Sequence, residues 1–182
     1  LAGMALTAIL NAGISFISLL DTDVVAVYNY FSVGGLFGVT AKSLIIPAAL
    51  IFLSLGAALL LSPKISLLCL GDSLASSLGV RVRLLRMVCL ICASASAAAV
   101  VSFAGLLGFV GLIVPHIARK LSGGGMTKTL VLASMVGATV VMLADTLGRT
   151  LFAPTEIPVG IVMALIGAPF FLVLLLRRRE HA

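Results

Sequence analysis

Long uncharged runs separated by short polar intervals pattern this chain from end to end. Residues 1–20 carry no charge and are long enough to cross a hydrocarbon core of roughly 30 Å, which takes about 20 helical residues; Asp21 and Asp23 close the run. Residues 44–61, 87–103, 129–152 and 159–176 read as further spans. Pro47 lies in the first turn of the second span, where proline is tolerated. The run CASASAAAVVS in the third has the small-residue composition of closely packed membrane helices. Residues 104–117 read as a turn followed by a short crossing, which brings the total to about six crossings in an all-α transmembrane bundle. Residues 21–43 are too polar to cross. With Tyr28, Asn29, Tyr30 and the glycines 34, 35 and 38, they read as a partly helical interfacial segment.

The polar intervals at 62–86, 119–128 and 177–182 are basic, and the first is the most structured. Within it, Leu74, Ala75 and Leu78 have helical spacing and are bounded by Gly71 and Gly79, with Asp72 or Ser73 available as the cap. Two turns of helix with a small apolar patch cannot form a core, but they suit docking into a groove on another protein. Val80, Arg81 and Arg83 continue this segment toward the third span.

Residues 105–120, GLLGFVGLIVPHIARK, concentrate several signals. Gly105, Gly108 and Gly111 recur every three residues and offer a stripe without side chains for a neighbouring backbone. Pro115 lacks an N–H and disfavours the helical region for Val114, which predicts a kink or a helix end there. His116 is expected to stand at a helix end and to hydrogen-bond a neighbouring helix or backbone. Further on, Asp145 and Arg149 are four apart and share a helix face, which predicts a structural ion pair. Residues 153–158, which include Glu156 and Pro158, read as a rigid turn. Gly167 and Pro169 permit a kink inside the last span.

Composition settles the class. Hydrophobic residues make up 62% and charged residues 10%, with a mean hydropathy of +1.30; soluble domains run nearer 45–50% and about 25%. The net charge of +6 does not mark a nucleic-acid surface, because the cations lie between apolar runs and not on one face. Ten of the twelve cations fall in the 62–86, 119–128 and 177–182 intervals, leaving Lys42 and Arg149 on the other side. The positive-inside rule therefore places these intervals and the C-terminus in the cytoplasm. The first residue is Leu1, with no charged region before the first run, so that run does not read as a signal peptide and the chain reads as part of a longer protein.

Enzyme chemistry finds no constellation here. His116 and His181 are the only histidines, and the carboxylates Asp145 and Glu156 belong at the opposite membrane face from His116, so no catalytic, metal or cofactor site is expected. Cys89 and Cys92 have redox spacing without a second pair and sit in an apolar helical run, which points to packing. The stretch from Gly123 to Thr129 fails the phosphate-loop pattern, since no glycine directly precedes Lys128 and no strand precedes the loop. Polar residues inside a span face the bundle or a water-filled path. Asn11 and Ser15, one turn apart, serve either as path-lining groups or as interhelical hydrogen-bonding groups. An ion-coupled transporter, which would place paired ionisable groups near mid-membrane, and an intramembrane enzyme are the alternatives to the reading that follows.

Several stretches resemble the permease subunits of ABC importers for ferric siderophores, haem and cobalamin, the FecCD family. These are LAGMAL at the start, the glycine-bounded 71–80 loop, GFVGLIVPHIARK, LADTLGR, and the EIPVGI and GAPFF segments. In the 71–80 loop Asp72 stands where the family more usually has Glu. The resemblance implies the last six helices of a ten-helix type II permease, with residues 1–182 as one partial permease domain and 62–86 as its cytoplasmic coupling loop. It implies as partners ABC ATPase subunits, a second permease subunit, and a periplasmic or lipoprotein substrate-binding protein, in the lipid of the bacterial inner membrane. Gly71, Asp72, Leu74, Ala75, Leu78, Gly79, Val80, Arg81 and Arg83 would then contact the ATPase, and Asn11 and Ser15 would line the path.

Overall fold

The computed structural model describes residues 2–151 and 156–179, and among them the regular structure is entirely helical. The helices are α1 (Ala2–Leu20), α2 (Thr22–Val33), α3 (Ala41–Leu68), α4 (Asp72–Ser77), α5 (Val82–Ala104), α6 (Val110–Ser122), α7 (Met126–Thr150) and α8 (Val159–Arg179). Four of them, α1, α3, α5 and α7, are long and apolar enough to cross a membrane, and α8 holds a shorter apolar stretch over Val159–Leu174. Of the 153–158 turn, residues 153–155 lie outside the described residues, as do Phe152 and His181.

The largest departure from the sequence reading is α3. It starts at Ala41, capped by the Thr40 hydroxyl, so Pro47 falls in its second turn. It then runs on through Pro63 to Leu68, where a loop was expected from residue 62. At 1.5 Å per residue a helix of this length reaches about 42 Å, so roughly two turns emerge beyond a 30 Å core. The expected loop at 62–86 is therefore mostly helix: the end of α3, then α4, then the start of α5.

The glycine stripe also resolves differently. Residues 105–109 are not helical, because Gly105 caps α5 at φ 67° and Phe109 opens α6 at φ 63°. Gly105 is tightly enclosed, whereas a Cβ at Gly108 or Gly111 would meet nothing within 4 Å. Nor does Pro115 end α6, which continues to Ser122. The residue four before Pro115 is Gly111, whose open surroundings leave the backbone free to yield to the ring. With 13 residues, α6 spans only about 20 Å and does not cross alone.

The apolar core lies between α6, α7 and α8. Ile113, Ala144, Val159 and Met163 are buried there, flanked by Leu107, Phe109, Val140 and Phe170. Phe109 packs on Gly167 of α8, where an added Cβ would come within 2.4 Å of the Phe109 Cβ. Gly167 thus serves close approach, not only a kink. A second extensive contact joins α3 to α5, with Ser54 of α3 and Ala99 of α5 buried. By contrast α1 packs mainly on α2 and is exposed along its length.

Helix ends meet at the end of the bundle opposite α4. The C-termini of α2 and α5 leave carbonyls without helical donors, and each uses the other's trailing loop. Leu106 N–H donates to Phe31 O at 3.0 Å and Gly35 N–H to Ala104 O at 2.9 Å. Gly160 N–H, one of the orphan donors at the start of α8, donates to Gly34 O at 3.1 Å. Backbones come this close only because side chains are missing: a Cβ on Gly160 would lie 1.6 Å from Val33 O, and one on Gly105 2.5 Å from Phe31 O.

Candidate functional site

The segment from α3 to α5 presents α4 at the basic end. Gly71 precedes α4 at φ 116° and Gly79 follows it at φ 82°, conformations that glycine adopts without penalty. Gly71 is itself the N-cap and no side chain caps the helix, so neither Asp72 nor Ser73 has the expected capping role. Asp72 instead accepts a hydrogen bond from the Arg86 guanidinium at 2.6 Å, tying α4 to α5. Nothing in helical periodicity links positions 14 apart, and only the turn at 78–81 brings them together.

The faces of α4 divide cleanly. Ala75 is fully buried against the bundle, and its carbonyl accepts from Val80 N–H at 3.0 Å, closing the turn. Leu74 and Leu78 are exposed, at 51% and 58%, and Leu70, in the turn before Gly71, is exposed as well. A cleft of about 400 Å³ lies between the end of α3 and the start of α5, lined by Leu67, Leu78, Val80 and Leu84, with Lys64 and Arg81 in its wall. Arg83 is exposed on the other side of α5, in a shallow recess with Asp72 and Arg86. The arrangement is a short helix pinned on one side and offering leucines and cations on the other. It suits a partner with an apolar groove and carboxylates.

At the opposite end Arg149 Nε donates to Asp145 Oδ2 at 2.8 Å, the i,i+4 pair expected from spacing. The Arg149 guanidinium also lies 5.2 Å from the centre of the Phe37 ring, and the Phe37 carbonyl accepts from the Tyr30 hydroxyl at 3.1 Å. Ile157 N–H donates to Gly148 O, which joins the segment after α7 to its last turn. Glu156 is exposed, and Pro158 accepts from Ile161 N–H at the start of α8. Asn11 and Ser15 face a cleft of about 660 Å³ between α1 and α2, shared with Tyr28 and Asn29. His116 sits within α6 and not at its end, and in place of the expected hydrogen bond its ring makes a T-shaped contact with Phe170 at a centroid distance of 6.1 Å. Pro169 lies one residue before that ring, inside α8.

Comparison with known proteins agrees with this architecture. The chain matches the FecCD transport family over residues 1–177. It is 37% identical over 175 residues to an Fe(3+)-citrate import system permease protein of Bacillus subtilis, covering 96% of this chain and 53% of that one. It is 36% identical over 182 residues to a hemin transport system permease protein of Yersinia pestis, covering 100% of this chain and 54% of that one. The chain thus spans about half the length of these curated relatives. Among solved structures, a metal-chelate type ABC transporter in an inward-facing conformation superposes with a TM-score of 0.85 at 32% identity, covering 95% of this chain and 58% of that one.

Proposed function

The chain belongs to the FecCD transport family, and from that premise we propose that it acts as the membrane permease of an ATP-driven importer carrying an iron chelate. ATP hydrolysis would belong to separate ATPase subunits. A second permease subunit and an extracytoplasmic substrate-binding protein would complete the assembly in the bacterial inner membrane. The names of the iron-citrate and hemin relatives support a ferric chelate as the cargo class. The distribution of cations supports a cytoplasmic position for the basic end and the C-terminus.

The observation that carries the reading is α4. Its buried Ala75 keeps it from sliding over the bundle, and its exposed Leu74 and Leu78 await a partner. Closure of the ATPase subunits would press on α4 and tilt α3 and α5, to which it is covalently joined. Cargo would pass along the α1 and α8 side, with Asn11 and Ser15 making weak polar contacts, since a path must release what it binds.

The test is co-purification of the ATPase with the full-length permease, wild type against Ala75→Pro. Proline inside so short a helix removes a hydrogen bond and clashes with the preceding turn, at about 3 kcal/mol or more. The expected result is loss of the ATPase from the variant, and charge reversal at Arg81 or Arg83 should uncouple hydrolysis from uptake. Equal recovery with both forms would refute the coupling role of residues 71–80.

A further inference from the structure

Among the described residues, every side-chain-to-side-chain hydrogen bond that joins two helices lies at the basic end: Asp72 with Arg86, Ser62 with Thr127, and Thr129 with Ser122. The opposite end is joined through main-chain bonds between glycine-rich segments. The Ser62–Thr127 bond is the one that connects the emergent end of α3, which bears α4, to the start of α7.

Its chemistry follows from Pro63. A proline at 63 has no N–H for the Leu59 carbonyl, which is thereby orphaned in mid-helix. The Ser62 hydroxyl supplies the missing donor, at 2.7 Å from Leu59 O. That bond uses Ser62's only hydrogen, so in the 2.7 Å contact between the hydroxyls of Ser62 and Thr127 the threonine is the donor. Ser62 is 1% exposed, so water does not replace its bonds, whereas Thr127 lies on the exposed start of α7. Beyond Thr127, Thr129 Oγ1 lies 2.7 Å from Ser122 Oγ and 2.9 Å from Gly125 O, which clamps the turn between α6 and α7.

We propose that Pro63 is the flexion point of α3 and that the Thr127-to-Ser62 hydrogen bond is the joint through which the coupling segment moves α7 and the α6–α7 turn. A helix lacking one backbone bond bends there most easily. A directional bond between two helices passes the displacement to one neighbour. The proposal rests on the reading of residues 71–80 as the ATPase contact. Ser62 and Thr127 are positioning residues that touch neither cargo nor nucleotide.

The two halves of the chain of bonds can be separated by mutation. Thr127→Val keeps the shape and the local Ser62–Leu59 bond while removing the joint, whereas Thr127→Ser retains the donor. The experiment uses the full-length permease with its ATPase, native cysteines replaced, and nitroxides at Ser73→Cys and Leu165→Cys or at Val131→Cys and Leu165→Cys; Leu165 is exposed on α8, outside the α3–α5 segment. Distances are read by pulsed electron resonance before and after trapping with ATP and vanadate. In the wild-type background both pairs should shift. In Thr127→Val the 73–165 shift should persist while the 131–165 shift falls at least twofold, and Thr127→Ser should restore it. An unchanged 131–165 shift in Thr127→Val overturns the joint alone, as does an equal loss in Thr127→Ser or an immobile 131–165 pair in the wild type. An immobile 73–165 pair in the wild type overturns the coupling reading, and the joint with it.

Discussion

Gly160→Ala is the sharpest structural perturbation available in this chain. An added methyl carbon would sit 1.6 Å from Val33 O, 2.8 Å from Val33 C and 3.1 Å from Gly34 O. Restoring van der Waals spacing requires α8 and the end of α2 to separate by roughly 1.5–2 Å. The end of α2 is itself held closely against the loop after α5, where a Cβ on Gly34 would lie 2.5 Å from the Leu106 carbonyl. Separation also breaks the bond from Gly160 N–H to Gly34 O, both in buried residues. A buried backbone bond left unmade costs about 1–3 kcal/mol, and overpacking about 1–3 kcal/mol more. The expected loss is therefore about 2–6 kcal/mol, which at about 2–4 °C per kcal/mol lowers the unfolding midpoint by at least about 4 °C. The chain has no Trp, but Cys89 and Cys92 are free and half-buried in α5. With the exposed Cys69 replaced by serine in every variant, a thiol-reactive dye therefore reports unfolding in detergent. Gly56→Ala is the control, since nothing lies within 4 Å of its added carbon, and alanine inside a helix gains up to about 1 kcal/mol. If Gly160→Ala melts with Gly56→Ala, the close backbone approach of α2 and α8 is wrong.

Two further outcomes use the same thermal assay, and a third is read by hydrogen exchange. Gly167→Ala should destabilise by about 1–3 kcal/mol through its clash with Phe109. Phe109→Gly, which removes the clashing carbon and suits the positive φ, loses core packing of its own, but in that background the added cost of Gly167→Ala should shrink, and strict additivity of the two changes would refute the contact. Asp145→Asn should cost no more than about 0.5 kcal/mol, because the pair is partly exposed and lies on a single helix; a loss of several kcal/mol would mean that the carboxylate holds more than Arg149. Arg149→Lys should keep the charge but loosen the segment around Phe37, since an ammonium lacks the flat guanidinium that lies over the ring. Faster hydrogen exchange of residues 34–40 is the expected sign, and unchanged exchange would count against it.

Several features are legible in the sequence because they are local. An uncharged run of about 20 residues is costly anywhere but in a bilayer, so α1, α3, α5 and α7 announce themselves. Gly71 and Gly79 bracket α4 because the chain must turn sharply at each of its ends. Asp145 and Arg149 meet because helical geometry brings i and i+4 together. The family could likewise be read from short motifs along the chain, and the match over residues 1–177 agrees.

Other features depend on residues that sequence distance keeps apart. Pro63 looks like a helix stop, yet α3 passes through it because Ser62 serves the orphaned carbonyl, held in turn by Thr127, 65 positions away. Gly105, Gly108 and Gly111 look equivalent, yet only Gly105 faces another backbone. Asp72 looks like a cap, yet folding of the 78–81 turn delivers Arg86 to it. Periodicity and apolar length determine which segments are helices, because backbone hydrogen bonds close within four residues. Which glycine must stay bare, and which hydroxyl must find a partner, was decided only when the helices packed.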